Sequence, residues 1–211
     1  MKKYLLTIFP SLLMVGCLNS KDPNSVEQFT LRTAKSIYTF TIPAGYHTNY
    51  SNDAQIISMS ILYPAMSPSS IRKDEENKIY MQISPLRLGD AQNYLNRLTE
   101  NTKLVQHLGK QGAYDVYDTG YANYSDGHGN DSRLKRPTLT FFAKDGQLVL
   151  VEPVTTFEHY NIYRNISSDL GIMYSFKPKL GNDFIRVDEE VMRFVNSHLK
   201  FKSTLIQEKS K

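Results

Sequence analysis

The chain has 211 residues, of which 40% are hydrophobic and 22% are charged. This is enough apolar material for a sizeable core, so the composition excludes a wholly disordered chain and fits a single domain. The formal net charge of +4 comes from 25 Lys and Arg against 21 Asp and Glu. Both signs are mixed along the chain, without the dense basic stripe of a nucleic-acid binder. The single Cys excludes a disulfide framework and Cys-based zinc or iron–sulfur sites.

The first 16 residues have the pattern of a secretory signal peptide. Lys2 and Lys3 precede a 13-residue apolar run, Tyr4–Gly16, and a short basic segment followed by a short apolar run is typical of such signals. A membrane-spanning helix needs roughly 20 apolar residues, whereas this run is shorter and contains Pro10. We therefore expect a signal peptide over residues 1–16 rather than a transmembrane anchor.

The apolar run ends in Met14-Val15-Gly16-Cys17, where a small residue directly precedes the only Cys. This segment resembles the lipobox of bacterial lipoproteins, with Met in place of the usual Leu at its first position. The resemblance implies that Cys17 becomes the first residue of the mature protein and carries a thioether-linked diacylglycerol and an N-acyl chain. At about 0.8 kcal/mol per buried methylene, three acyl chains anchor a protein effectively permanently. The alternatives are an ordinary cleaved signal with a chance Cys, or a core Cys.

The residue after Cys17 indicates in which bacterial membrane such a lipoprotein is located. By the sorting rule of the lipoprotein family in enteric bacteria, Asp at this position retains the protein in the inner membrane, whereas this chain has Leu18. The resemblance therefore implies the outer membrane, on the side that faces the periplasm. Cleavage would also remove two lysines and leave a nearly neutral mature charge of +2.

Composition divides the rest of the chain. Residues 17–33 are predicted to be the lipidated Cys and a flexible, polar tether. Residues 34–201 are predicted to form a single domain, and residues 202–211 a polar tail that frays.

Hydrophobic periodicity predicts the first elements of the domain. Alternation of apolar and polar residues predicts three strands, each of which stops at a Pro: 38–42, 57–63 and 79–83. Apolar residues at helical spacing then predict a helix that begins at Ala91, with Asp90 as its N-cap.

The second half of the domain is predicted to contain two hairpins, one more strand and a helix. The first hairpin would join 103–108 to 113–121 through Gly109–Gly112. The second would join 138–143 to 147–154 through a turn at Asp145-Gly146, a dipeptide typical of tight hairpins. A strand is expected at 171–176. The last helix is predicted to be amphipathic, with one face formed by Val187, Val191, Phe194, Val195 and His198.

The order of these elements indicates an α+β fold, because strands and helices do not alternate as they do in a parallel α/β protein. We expect one domain with a twisted, mainly antiparallel sheet and packed helices, including the C-terminal amphipathic helix. The opening Tyr-Thr-Phe-Thr-Ile-Pro-Ala-Gly-Tyr and the closing helix resemble small envelope α+β domains of the PsbP/Mog1 type.

The sequence predicts no catalytic residues, no metal site and no cofactor. A Gly-x-Ser-x-Gly nucleophile elbow is absent, and Ser67–Ser70 is interpreted as a loop. The five His residues lack the His-x-x-x-His spacing of a metal site on a helix, and His198 is expected to pack on the helix face. The loop at Ser125–Ser132 does not match a calcium-binding loop, because the twelfth position counted from Asp126 is Pro137, whereas such loops have Glu there.

The same polar loop is the candidate for contact with a partner, through Asp126, His128 and Asp131, because binding residues often lie on loops carried by a rigid sheet. The alternative is a plain connection between strands, since Gly, Asn, Asp and Ser are also typical of such loops. Four nearby tyrosines add a possible interface: Tyr114, Tyr117, Tyr121 and Tyr124.

The predicted function is that of a membrane-anchored, non-enzymatic lipoprotein that faces the periplasm. Its partners would be the bilayer, through acylated Cys17, and a periplasmic protein, without nucleic acid. Its format resembles that of immunity lipoproteins, which block a secreted effector. The alternatives are a structural or housekeeping envelope lipoprotein, and a hydrolase whose site carries no recognisable motif.

Overall fold

Two antiparallel sheets pack against each other in the computed structural model. The structure describes residues 22–69, 75–86, 91–100, 105–118, 137–154, 159–177 and 183–204. The first strands are β1 (Val26–Arg32), β2 (Ser36–Pro43), β3 (Asn49–Ser51), β4 (Ile56–Leu62), β5 (Ser67–Pro68) and β6 (Lys78–Pro85). The later strands are β7 (Gln106–Gln111), β8 (Tyr114–Asp118), β9 (Thr138–Phe142), β10 (Leu148–Val154), β11 (His159–Asn165), β12 (Leu170–Phe176) and β13 (Leu199–Thr204). The helices are α1 (Ala91–Glu100) and α2 (Phe184–His198), with a 3₁₀ turn at Ala44–Tyr46.

The large sheet contains ten strands and the small sheet three. The order in the large sheet is β3-β4-β6-β12-β11-β10-β9-β8-β7, with β5 paired to β4, and the order in the small sheet is β1-β2-β13. Strands β6, β12 and β11 therefore lie side by side near the centre of the large sheet, although β6 and β12 are far apart in the sequence.

The main core lies between the large sheet on one side and the small sheet with α2 on the other. In β6, alternate residues Ile79, Met81 and Ile83 are buried in this core, at 1% exposure or less. Val187, Val191 and Val195 bury one stripe of α2 in the same way. Each such side chain stabilises the fold by about 1.5–3 kcal/mol. A smaller cluster forms on the opposite face of the large sheet, where Ala91 and Leu95 of α1 pack on Leu150.

The three strands predicted from alternation are confirmed as β2, β4 and β6, and those predicted at 138–143, 147–154 and 171–176 are confirmed as β9, β10 and β12. Both predicted helices are confirmed as α1 and α2. The turn at Asp145-Gly146 is confirmed as well, because Phe142 pairs with Leu148 across it. Gly146 adopts a φ of +77°, in the left-handed region that glycine enters without steric cost.

The α+β class expected from the sequence is wrong. Strands make up 56% of the described chain and helices 17%, so the fold is dominated by its sheets. Five strands went unrecognised: β1, β3, β5, β11 and β13. Two of them have only two or three residues, and β11 has the charged residue Arg164 at an inward position where alternation predicts an apolar side chain.

Several predicted boundaries also differ from the structure. β1 lies within residues predicted as tether, where Phe29 and Leu31 are buried against the large sheet. β13 extends to Thr204, into the predicted tail, because it pairs with β2. The turn of the first hairpin was predicted at Gly109–Gly112. Strand β7 instead continues to Gln111, so the turn begins later in the chain. Gly109 lies within the strand, in a β-bulge. Asp90 lies outside the described residues.

A buried ion pair connects α2 to the large sheet. The Nη1 atom of Arg164 donates to Asp188 Oδ2, and both side chains are 2% exposed. Tyr174 Oη donates to Asp188 Oδ1 at 2.9 Å, and Arg164 Nη2 donates to Asp145. Burial raises the pKa of Asp188, although the charge of Arg164 opposes this rise. As a whole residue, Asp188 is 1% exposed and thus belongs to the core.

Replacing Asp188 by Asn should lower the free energy of unfolding by about 3 kcal/mol, because a buried guanidinium would lose its main counter-charge. Glu190→Gln is the matched control, since Glu190 pairs with the exposed Arg193 on the same helix and should cost less than about 1 kcal/mol. Urea unfolding followed by circular dichroism measures both. Equal losses in the two variants would contradict the structural role of Asp188.

Candidate functional site

The large sheet has a polar surface opposite the main core. Alternation along β6, β12 and β11 directs every second residue away from the core. We call this surface the polar face, and it consists of Lys78, Tyr80, Gln82, Met173, Ser175, Lys177, His159, Asn161 and Tyr163.

Strand register arranges the polar face in rows across the three strands. Ser175 lies opposite Tyr80 on one side and opposite Asn161 on the other. Directly opposed residues on one face have Cβ atoms roughly 4.5–5.5 Å apart. These three side chains therefore form a continuous row of hydroxyl and amide groups, and Gln82, Met173 and Tyr163 form the next row.

Hydrogen bonds within the polar face link hydroxyl and amide groups. Gln82 Nε2 donates to Tyr80 Oη at 2.7 Å, and Asn161 Nδ2 donates to Tyr163 Oη at 3.4 Å. Burial and the neighbouring charge of Glu152 raise the pKa of Tyr163, so its hydroxyl stays protonated at neutral pH. Tyr80 is 37% exposed. The face thus presents donors and acceptors on side chains that hydrogen-bond to one another.

Helix α1 covers the neighbouring part of the same sheet surface. Its residues Ala91 and Leu95 pack on Leu150, and Tyr163 borders this cluster. Tyr163 therefore belongs both to the edge of the α1 contact and to the polar face. The polar face begins where this apolar contact ends.

A pocket of about 170 Å³ lies at one end of the polar face. It is lined by Glu75, Lys78, Tyr80, His159, Ser175 and Lys177. Phe176 pairs with Ile79 and with Tyr160, so the next residue, Lys177, follows the same register beside Lys78 and His159. We call these three residues the basic row: Lys78, Lys177 and His159.

A second polar cluster joins the two sheets. Thr33 Oγ1, Tyr38 Oη and Ser167 Oγ donate to the carboxylate of Asp169, which is 8% exposed. Burial alone would raise the pKa of Asp169, but these three donors, with the charge of Lys202, lower it. The cluster ties the start of β2 to the β11–β12 turn. Because the hydroxyls are engaged with the carboxylate, the arrangement is that of a structural contact.

The proposed contact residues from the sequence fall outside the structure. Cys17, Asp126, His128 and Asp131 all lie beyond the described residues, as do Tyr121 and Tyr124. Their roles stay predictions.

The other aromatic candidates have local packing roles. Tyr114 meets Phe141 and Phe184 edge-on, with ring centroids 5.7 and 6.0 Å away, and therefore borders the core. Tyr117 packs on His107 at 4.9 Å.

His198 packs as expected from its position on the last helix. Its ring lies 4.3 Å from that of Phe194 and 5.8 Å from that of Tyr46, and Nδ1 is 2.8 Å from the Phe194 carbonyl oxygen. Among the described residues, no group of three His, Cys, Asp or Glu side chains could hold a metal ion.

The expected loop at Ser67–Ser70 is partly wrong, because Ser67 and Pro68 form β5. Ser69 is buried and donates to Glu75 Oε2 at 2.7 Å. This bond connects the end of β5 to the lining of the pocket. The Ser69 hydroxyl therefore serves a structural contact and is not presented as a nucleophile.

Sequence patterns pointed to the helices and strands but missed the polar face. Its residues come from three strands that are distant in sequence, and only the pairing of β6 with β12 brings them together. The available signal was the polar half of the alternating strand at 79–83, which predicts a solvent-facing surface without naming its neighbours.

No protein-family model, curated protein or solved structure matches this chain. Within the described residues, neither helix is long and apolar enough to cross a membrane.

Asp169→Asn should lower the free energy of unfolding at pH 7 by about 2 kcal/mol, because hydrogen bonds to a charged group each contribute roughly 1.5–3 kcal/mol. The folded-state pKa is lowered, so this stability is present above the unfolded pKa of about 3.9 and is lost as the pH falls through the folded value. The difference between wild type and variant should therefore shrink below about pH 4.

Urea unfolding at a series of pH values measures this difference. Asp53→Asn, at an exposed position between β3 and β4, is the control and should change stability by less than about 0.5 kcal/mol. A wild-type advantage over Asp169→Asn that stays constant down to pH 2 would contradict the assignment.

Proposed function

We propose that this chain is a lipoprotein of the bacterial cell envelope that is anchored through acylated Cys17 and binds a periplasmic protein. The anchor is supported by the Met14-Val15-Gly16-Cys17 segment, which contains the only Cys of the chain. Leu18 supports an outer-membrane location that faces the periplasm. The role is non-enzymatic, and an immunity protein that blocks a secreted effector is its specific form.

The position of β1 limits the distance between anchor and domain. Only eight residues, 18–25, separate Cys17 from Val26 at the start of β1. A fully extended chain spans about 3.3–3.6 Å per residue, so the tether reaches about 3 nm at most. An anchored domain is therefore held at the membrane surface, where its local concentration near a membrane-bound or periplasmic target is high.

The polar face is the observation that carries the binding role. It combines Tyr80 and Tyr163 with the side-chain amides of Gln82 and Asn161 on central strands. Tyrosine is enriched in protein interfaces because it joins apolar area to a hydroxyl. Rigid strands also hold these groups in place at little entropic cost, which favours a preorganised contact.

A protein partner suits this surface better than a small enclosed ligand. The rows extend across three neighbouring strands, from the pocket to the edge of α1. Such a broad, partly exposed surface matches the extended patches that proteins present to one another. The loop with Asp126, His128 and Asp131 joins β8 to β9, and it remains a predicted second contact.

Cys17→Ala should abolish acylation and release the protein from the membrane fraction, because the sulfur that carries the diacylglycerol is removed. Cell fractionation and mass spectrometry of the native protein measure retention and acyl groups. Leu18→Asp is the matched control and should keep the protein membrane-bound, with a shift toward the inner membrane in an enteric host. Unchanged membrane retention of Cys17→Ala would overturn the anchor.

Tyr80→Ala should weaken partner binding by about tenfold, as expected for an aromatic anchor within an interface. In-cell cross-linking with a tagged full-length chain identifies the partner and gives the relative yield for each variant. Val26→Ala, at a 61% exposed apolar position on β1, is the control and should leave the yield unchanged.

The predicted loop contact is tested in the same assay by replacing Asp126, His128 and Asp131 with Ala. Stability should change by less than about 0.5 kcal/mol, as for surface substitutions, while the cross-linking yield falls. If both this variant and Tyr80→Ala retain full yield, neither surface is the binding site. A large loss of stability in the loop variant would show a structural loop instead.

A further inference from the structure

The four residues directly before β1, 22–25, are bound to the 3₁₀ turn that follows β2. The backbone N–H of Gly45 donates to the carbonyl oxygen of Pro23 at 3.0 Å, and that of Ala44 donates to the carbonyl oxygen of Ser25 at 2.8 Å. We call this arrangement, residues 22–25 held on the 3₁₀ turn, the tether clamp. It fixes the point at which the chain leaves the domain toward its N-terminus.

The clamp depends on a close approach at Gly45. A Cβ atom at this position would lie 3.2 Å from the carbonyl oxygen of Pro23 and 3.8 Å from Cγ of Pro68 in β5. The 3₁₀ turn is also attached to the β4–β5 turn, because Tyr46 Oη donates to the carbonyl oxygen of Met66 at 2.9 Å. The lack of a side chain at Gly45 therefore lets the backbone of the clamp lie directly on the domain.

The clamp shortens the tether. Four residues, 18–21, separate Cys17 from Asp22 at the start of the clamp, whereas eight separate it from β1. Even fully extended, the chain from Cys17 to Asp22 spans about 18 Å, at up to about 3.6 Å per residue. Acyl chains on Cys17 would hold this residue at the membrane surface. The clamp would then lie within about 2 nm of the bilayer.

The clamp lies at one end of the large sheet. Pro68, which borders it, pairs with Ile61, and Ile61 also pairs with Ile79 near the start of β6. From there, β6 runs to Pro85, which pairs with Leu170 at the other end of the sheet. We call these two ends the clamp end and the far end.

The length of the strands decides which end can face the bilayer. Strand β6 has eight residues and, at about 3.3 Å per residue, extends over roughly 25 Å. If the far end faced the membrane, the clamp would be held roughly 25 Å above it. This distance exceeds the reach of about 18 Å between Cys17 and Asp22. The clamp end, by contrast, can lie directly on the surface.

The clamp end exposes small apolar groups. Pro64 and Ala65, in the turn before β5, are exposed, as is Pro68 within β5. Val26, the residue after the clamp, is 61% exposed. Such groups can enter the headgroup region without the cost of taking polar groups out of water. The surface around the clamp is therefore compatible with contact with lipid.

We propose that the tether clamp orients the domain on the membrane, with the clamp end against the lipid surface and the far end pointing away from it. This orientation rests on the proposed anchor at Cys17 and extends it. Strands β6, β12 and β11 then rise away from the bilayer. The polar face would stand at the side of the domain, open to a protein partner at the membrane surface.

Single Trp residues test the orientation, because the chain contains no Trp of its own. Ala65→Trp reports on the clamp end. Phe142→Trp, at a 70% exposed position, reports on the far end. Phe142 pairs with Leu148 in β10, and the next residue of β10 pairs with Arg164 close to the β11–β12 turn. Both substitutions replace exposed side chains, so the fold should be kept.

Each full-length variant is extracted from bacterial membranes, and mass spectrometry determines whether Cys17 is acylated. The protein is then placed in phosphatidylcholine vesicles that contain a lipid with a nitroxide on its headgroup, which quenches Trp only at short range. We expect Ala65→Trp to lose most of its fluorescence and Phe142→Trp to lose little.

Two further changes should release the clamp end. Gly45→Val places a branched side chain against Pro23 and should displace the clamp. An insertion of about ten Gly and Ser residues between Ser20 and Lys21 lengthens the tether as a flexible coil and leaves the domain unchanged. Each change should reduce the difference in quenching between the two Trp positions, while circular dichroism shows an intact fold. The insertion provides the test if Gly45→Val does not fold.

Equal quenching at the two positions, or stronger quenching of Phe142→Trp, would overturn the orientation. An unchanged difference after the insertion would overturn the role of the short tether. Absence of acyl groups on Cys17 would overturn the anchor and this proposal together. Acylated protein with equal quenching would overturn the orientation alone, so the two failures are distinguishable.

Discussion

The register of the central strands determines both the core and the candidate site. In β6, Ile79, Met81 and Ile83 are buried, and the intervening residues form one edge of the polar face. A slip of one residue would turn the apolar set outward and the polar set inward. Such a slip would lose several side-chain burials of about 1.5–3 kcal/mol each. Packing in the core therefore fixes which residues meet on the opposite surface, including the two lysines of the basic row.

Buried polar contacts define the relative positions of elements that hydrophobic packing holds together. The Arg164–Asp188 pair connects α2 to β11 at one defined position, and the carboxylate of Asp169 joins the start of β2 to the β11–β12 turn. A buried ion pair contributes little net stability compared with apolar packing, since removing both charges from water is costly. We infer that these contacts chiefly fix where α2 and the small sheet sit on the large sheet, whereas apolar burial supplies most of the free energy.

Local sequence patterns predicted the strands and helices whose own residues show a clear hydrophobic periodicity. β2, β4 and β6 alternate cleanly, and α2 has an apolar stripe, so these elements follow directly from their residues. β11 was missed because buried Arg164 occupies an inward position that a hydrophobic pattern assigns to an apolar residue. The polar face could not be predicted, because it depends on the pairing of β6 with β12. Nothing within either strand specifies that partner.

The domain begins at β1, earlier than the sequence predicted, and this limits how far from the membrane the proposed function can act. A tether extending to residue 33 would allow the domain to move well away from the bilayer, whereas pairing of β1 with β2 leaves eight residues after Cys17. With an anchor at Cys17, the reach of about 3 nm keeps the small sheet, which contains β1, near the membrane. The proposed protein partner must then act at or close to that surface.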